Sequence, residues 1–185
     1  MSQYQIATVI GSLRRDSYNR KLCAAIMKLA PEGFTFRDVP IDDLPLYNQD
    51  NDGAQAESVK RLKNDVSSAD AVLFVTPEYN RSIPGVLKNA IDHASRPYGQ
   101  SAWAGKPAAV IGASIGNTGT SMAQQHLRNV IAYLDMPTMG QPEVYLRVDD
   151  AFFGADGGIA NPDSKKFLQR WMDRYVAWVT DHAAR

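Results

Sequence analysis

The chain has 185 residues, 44% of them hydrophobic, and its 20 basic and 20 acidic residues balance to a net charge of zero. That size and composition suit a single globular domain over 1–185 with a buried core. The balance gives no basic footprint for nucleic acid or an anionic membrane, and no apolar run nears the roughly 20 residues of a transmembrane helix. The start lacks a basic segment followed by a long apolar one, so no secretory signal is expected. Cys23, the single cysteine, has no internal disulfide partner, and a reducing cytoplasm is the expected setting.

Tyr4–Ile10 reads as a strand. It turns through Gly11 into Ser12-Leu13-Arg14-Arg15-Asp16-Ser17-Tyr18-Asn19, and Leu22, Ile26 and Leu29 then recur at helical spacing. A strand feeding a polar loop at a helix N-terminus is a place to hold a phosphate, because first-turn amides are free and the helix dipole favours negative charge. Ser12 and Ser17 can donate O–H bonds, Asn19 an N–H, and Arg14 a planar fork. Neither G-x-G-x-x-G nor G-x-x-x-x-G-K-[ST] is present. Leu29 stands where a cysteine-phosphatase loop starting at Cys23 needs Arg. Taken alone, the loop leaves plain helix capping by Ser and Asn as the simpler alternative. Cys23 itself lies among apolar helix neighbours and reads as inert packing.

A second strand is expected at Phe34–Val39, then a helix near 54–69 carried by Val59, Leu62 and Val66. The third strand, Ala71–Thr76, and the fourth, Ala108–Ala113, are continuous apolar runs, as in strands covered on both faces. Between them Pro84 opens a helix with the stripe Val86, Leu87, Ala90, Ile91 and Ala94. Ala123, Leu127, Val130, Ile131 and Leu134 mark the next helix, and Thr138–Tyr145 a weaker fifth strand. Asp156-Gly157-Gly158 places a surface turn or small hairpin within Val148–Pro162. Phe167, Leu168, Trp171, Met172, Tyr175, Val176 and Val179 define the last helix. This alternation implies a three-layer α/β/α domain with a five-stranded parallel sheet in the flavodoxin-like order 2-1-3-4-5. Ligands of such sheets sit beyond the strands' carboxyl ends where the order reverses. The loops after strands one and three meet there, with that after strand four alongside.

The loop after strand three, Thr76-Pro77-Glu78-Tyr79-Asn80-Arg81-Ser82-Ile83-Pro84-Gly85, is stiffened by prolines and alternates polar groups with an aromatic ring, which suits the edge of a flat ligand. The loop after strand four, Ser114-Ile115-Gly116-Asn117-Thr118-Gly119-Thr120, is glycine-rich and opens a helix, which suits close backbone approach as well as simple turn chemistry.

Gly11-Ser12-Leu13-Arg14-x-x-Ser17-x-Asn19-x-x-Leu22, together with Pro77-Glu78-Tyr79-Asn80-x-Ser82-x-Pro84-Gly85-x-Leu87-Lys88-Asn89-Ala90-Ile91-Asp92, resembles the NADPH-dependent FMN reductase family. Its members include quinone, azo-dye and chromate reductases. The resemblance implies non-covalent FMN whose phosphate is held by Ser12, Arg14, Ser17 and Asn19, with Tyr18 beside them. It implies that Pro77, Glu78, Tyr79 and Asn80 line the isoalloxazine and ribityl chain, with Arg81 and Ser82 adjacent, and that Ser114, Ile115 and Gly116 close the other side. Some members carry an aromatic residue where this chain has Arg81. The resemblance also implies a homodimer or homotetramer, which would give Leu46-Tyr47-Asn48 and the loop Arg96–Trp103 a role in a partner's site or in packing.

His93, His126 and His182 are scattered, without metal spacing or a cysteine nucleophile, and read as surface or capping side chains. No catalytic side-chain set and no metal site is expected. The chemistry belongs to the flavin, with Arg81 and Asn80 in support. The expected activity is hydride transfer from NAD(P)H, as co-substrate, through FMN to quinones or similar small acceptors. A flavodoxin-type electron carrier without turnover is the alternative, against which neutral charge and Arg14 argue. A regulatory protein binding another phosphorylated ligand is the second.

Overall fold

The computed structural model describes residues 3–184. Five strands, β1 (Tyr4–Ile10), β2 (Phe34–Asp38), β3 (Ala71–Val75), β4 (Ala108–Ser114) and β5 (Tyr145–Arg147), form one parallel sheet in the order β2-β1-β3-β4-β5. The helices are α1 (Tyr18–Met27), α2 (Glu57–Ser67), α3 (Gly85–Ala94), α4 (Ser121–Tyr133) and α5 (Pro162–His182).

Side-chain alternation along the strands divides the core in two. Ile6 and Ile10 of β1, Leu73 and Val75 of β3 and Ile111 of β4 face α1 and α5, where they meet Leu22, Ile26, Leu168, Trp171 and Tyr175. Ala7, Val9, Val72, Phe74 and Val110 face the other way, onto Leu62, Leu87, Ile91, Leu127 and Ile131 of α2, α3 and α4. The apolar stripes read along each helix are the faces that are buried, with Val86, Val130, Leu134, Phe167 and Val176 at their half-buried margins. Pro84 caps α3 and does not enter its first turn. Cys23 is buried, and burial pushes its thiol up to about 12, so no reactive thiolate forms at neutral pH.

The fifth strand departs from expectation. Thr138 makes an isolated bridge to Ala108, whose N–H donates to Pro137 O while its O accepts from Met139 N, both at 2.8 Å. The chain then leaves the sheet through Gly140-Gln141-Pro142 and rejoins β4 only at Tyr145. Pro142 has no N–H to give a ladder, so the apolar stretch is divided into a bridge and a three-residue strand. In the segment before α5, Phe153 pairs with Ile159 across a turn at Asp156-Gly157, which is the small hairpin. Among the described residues, no helix is long and apolar enough to cross a membrane.

Candidate functional site

The loops after β1, β3 and β4 line one cavity of about 360 Å³ beyond the carboxyl ends of the strands. Its walls are Ser12, Arg14, Ser17, Tyr18 and Asn19, then Pro77, Glu78 and Tyr79, then Ala113, Ser114 and Ile115. That volume is within the range of small-molecule sites.

The first wall is built around the start of α1. Ser17 caps the helix, its Oγ accepting from the N–H of Asn19 at 3.2 Å and of Arg20 at 3.3 Å. Capping and ligand donation are compatible here, because the hydroxyl hydrogen is not spent in accepting. Asn19 does something the sequence did not suggest. β3 ends at Val75, opposite Ile111, so Ala113 has no strand neighbour on that side. The Asn19 carboxamide replaces one: Nδ2 donates to Ala113 O and Oδ1 accepts from Ala113 N, both at 2.9 Å. One amide hydrogen remains, so Asn19 is chiefly the tie between α1 and β4 and only secondarily a donor to the cavity. Tyr18 donates its hydroxyl to Asp150 at 3.1 Å, and that carboxylate, with partial burial, raises the phenol's pKa. Arg20 and Lys21 pair with Asp38 and Asp150, whereas Arg14 has no carboxylate partner among the described residues. The backbone N–H groups of Ser12, Leu13, Arg14, Arg15 and Asp16 donate to no protein acceptor among those residues. Free amides, two hydroxyls and an unpaired guanidinium make a donor set that fits a phosphate.

The second wall is a rigid turn. Tyr79 and Ser82 exchange backbone bonds, N to O in both directions at 3.0 Å. The central residues have φ of +52° at Asn80 and +68° at Arg81, the signature of a type I′ turn. Asn tolerates the left-handed region, while Arg there costs about 1–2 kcal/mol. Arg81→Gly is therefore expected to raise stability by about 0.5–1 kcal/mol, after the larger entropy of unfolded glycine is subtracted. A thermal melt about 1–3 °C higher would show it, and an unchanged or lower melt would mean the strain is relieved elsewhere.

Glu78 borders the cavity, yet its Oε2 accepts from the N–H of Met122 at 3.0 Å and of Ala123 at 3.2 Å. It caps α4 from outside, since the side chain of Thr120, the residue at the cap position, does not. Arg81 extends to Met122 Sδ at 3.1 Å and to Glu78 at 4.0 Å. Ser82 Oγ lies 2.7 Å from His126 Nδ1. Asn80, Arg81, Ser82 and Gly116 are not on the cavity wall, whereas Ala113, which no motif singles out, is. Leu13, Tyr79, Ile115 and Met122 are large apolar side chains left exposed around it, Ile115 at 67%. Such a rim suits a flat ring rather than a sugar phosphate alone.

Donors for a phosphate at one wall, a stiff turn at the second and apolar cover at the rim meet where the strand order reverses. Residues 4–150 match the model of the family described as NADPH-dependent FMN reductase. The chain belongs to that family. It is 54% identical over 177 residues to a 2-hydroxy-1,4-benzoquinone reductase of a Burkholderia species, covering 96% of this chain and 97% of the relative. It is 51% identical over 181 residues to a quinone reductase of Pseudomonas putida strain KT2440, covering 97% of each. Among solved structures it superposes on FerB, a flavoenzyme NAD(P)H:(acceptor) oxidoreductase from Paracoccus denitrificans, with a TM-score of 0.94 and 45% identity over 98% of this chain and 100% of that one. A flavodoxin from Pseudomonas aeruginosa, at 18% identity and a TM-score of 0.59 over 95% of this chain and 99% of its own, shares the fold.

Two segments that the family resemblance drew toward a partner divide differently in this member. Trp103 is wholly buried against Phe74 and donates Nε1 to Ile91 O at 3.0 Å, so it belongs to the core, while Tyr98 is 86% exposed. Leu46 is 87% exposed, but the loop carrying it is pinned to α3. Asn89 donates to Pro45 O and accepts from Tyr47 N, and His93 Nε2 lies 2.8 Å from Pro45 O. His93 is thus a buried structural residue and not a surface one. A histidine on an apolar helix face carries no sequence signal that separates the two.

Proposed function

We propose that this enzyme is an FMN-dependent NAD(P)H oxidoreductase that reduces quinones or similar small acceptors, its chain acting as one flavin-binding domain. The observation that carries the reading is the single cavity shared by the loops after β1, β3 and β4, with free donors at one wall and apolar cover at its rim. The names of the relatives at 54% and 51% identity support a quinone as acceptor. In overall balance, NAD(P)H, a proton and a quinone give NAD(P)⁺ and a hydroquinone.

FMN, when bound, supplies the hydride-accepting and hydride-donating chemistry. Ser12, Arg14, Ser17 and the amides of residues 12–16 would hold its phosphate, with Tyr18 and the remaining Asn19 hydrogen beside them. Pro77, Glu78 and Tyr79 would flank the ring on one side and Ser114 and Ile115 on the other, with Gly116 next along the loop, off the wall. Ile115 and Tyr79, exposed apolar side chains on the cavity wall, would shield the ring from water. Asn80 offers a donor and Arg81 a positive charge at the rim, 67% exposed, where it attracts the cosubstrate's phosphates or an anionic acceptor. The Arg81→Gly variant should therefore retain FMN while raising the Michaelis constant for NADPH. Homo-oligomeric assembly and a cytoplasmic setting complete the proposal, supported by the exposed Leu46 and Tyr98 and by a single, buried cysteine.

The test is turnover of the purified protein with FMN, NADPH and a benzoquinone. NADPH oxidation well above the rate with free FMN is expected. Flavin binding without that excess would favour an electron carrier, and a protein that stays colourless after incubation with excess FMN would point to another phosphorylated ligand.

A further inference from the structure

The strained turn after β3 must be held in place by its surroundings, since left-handed backbone at a non-glycine residue persists only where neighbouring structure over-determines it. Its side-chain hydrogen bonds among the described residues come from one face of α4, beside the backbone bonds between Tyr79 and Ser82 and the burial of Ile83. Glu78 fixes the entrance of the turn through the amides of Met122 and Ala123, and Arg81 reaches the Met122 sulfur. One helical turn further on, His126 meets Ser82 at the exit, with Nδ1 2.7 Å from Oγ. Ser82 also closes the turn by exchanging backbone bonds with Tyr79, and Tyr79 is on the cavity wall. His126 itself is outside that wall and exposed.

Resting on the functional reading above, we propose that His126 is a positioning residue for the flavin: acting through Ser82, it holds the Tyr79–Ser82 turn in its ring-receiving conformation before the cofactor arrives. The entrance of the turn is fixed by a carboxylate on a helix N-terminus, which is an anchored pair. At the exit, the one bond from Ser82 to α4 among the described residues is that to His126. Without it, Ser82 and the backbone that sets Tyr79 are free to relax away from the left-handed geometry at Arg81. The consequence falls on the ring side of the ligand, because the phosphate donors belong to the loop after β1.

The experiment titrates wild-type, His126→Ala and His126→Asn apoproteins with FMN and with riboflavin, read by flavin fluorescence, alongside thermal melts of the apoproteins. Asn is the conservative variant because its side-chain amide sits about where Nδ1 does. His126→Ala is expected to weaken both flavins by about fivefold to tenfold, the worth of one hydrogen bond, with the apoprotein melt shifted by no more than about 2 °C, as for an exposed position. His126→Asn is expected to restore affinity to within about twofold of wild type, the residue of one imperfectly replaced bond. Wild-type affinity in His126→Ala, a loss confined to FMN, or a loss in His126→Asn equal to that in His126→Ala overturns the proposal while leaving the functional reading intact. A wild-type protein that binds neither flavin overturns both.

Discussion

Replacing Arg14 with alanine is expected to lower FMN affinity by about tenfold to a hundredfold while changing riboflavin affinity by less than about twofold. The basis is a charge-assisted bond worth roughly 1.5–3 kcal/mol to an anion, set against none to a ligand that lacks the phosphate. Arg14 is exposed, so the lower end of that range applies at physiological salt and the upper end at low ionic strength. What singles it out is its surroundings. Arg20 and Lys21, on the same segment, are already paired with Asp38 and Asp150, whereas Arg14 has no such partner among the described residues. Its fork therefore carries no existing ion pair that a phosphate would have to displace. Arg20→Ala, which removes a paired surface charge, serves as the control and is expected to leave FMN affinity within about threefold. Fluorescence titration of wild type and the two variants with each flavin decides the matter. Equal losses for FMN and riboflavin with Arg14→Ala would place the arginine at the ring or in the fold, and would remove the phosphate from the first wall.

The contrast between Arg14 and Asn19 shows what a sequence can convey about such a site. Both belong to one polar loop, and residue type alone makes both phosphate donors. In the structure Asn19 spends most of its carboxamide on Ala113, 94 residues away, in place of a missing strand neighbour. Glu78 behaves likewise: in a loop that borders the cavity it reads as a ligand-facing group, yet its carboxylate caps α4. Such pairings join distant side chain and backbone and leave no periodic trace. The sheet is different, because each strand announces itself locally. Ile6 to Ile10 ends at Gly11, the runs in β3 and β4 are apolar throughout, and the strand order follows from repeated βα connections. That order brings the three loops together before any side chain is considered. β5 was the least legible strand because the bridge at Thr138 and the pairing at Tyr145 are separated by residues that leave the sheet. The type I′ turn was half legible: Asn80 suits a left-handed position, and Arg81 does not.

The largest stability effect is expected beneath the cavity, at Gly112. A Cβ there would fall 2.1 Å from Thr76 O and 2.3 Å from Thr120 Oγ1, and both threonines are fully buried. The missing side chain is what lets the end of β3 and the start of α4 close over β4, so that the loops after β3 and β4 approach each other. Relief by a rotamer change is not available on one side, because Thr76 O is backbone. On the other side Thr120 Oγ1 accepts from Gln124 Nε2 at 2.9 Å, and the same nitrogen donates to Val144 O at 2.7 Å. Moving Thr120 therefore disturbs a buried network as well as the helix start. Overpacking of about 1–3 kcal/mol and a strained or broken buried hydrogen bond of about 1–3 kcal/mol together predict a loss of roughly 3–5 kcal/mol for Gly112→Ala. For a chain of this length that corresponds to a melting temperature lower by about 6–20 °C, or to a failure to accumulate as folded protein. Gly140→Ala provides the comparison, since a Cβ there meets nothing within 4 Å, and its melt is expected to stay within about 2 °C of wild type. Circular dichroism melts of the two variants separate crowding from the general effect of adding a methyl group. If both melt like the wild type, the start of α4 yields without cost. The close approach of α4 to β3 would then not be what holds the loops after β3 and β4 together.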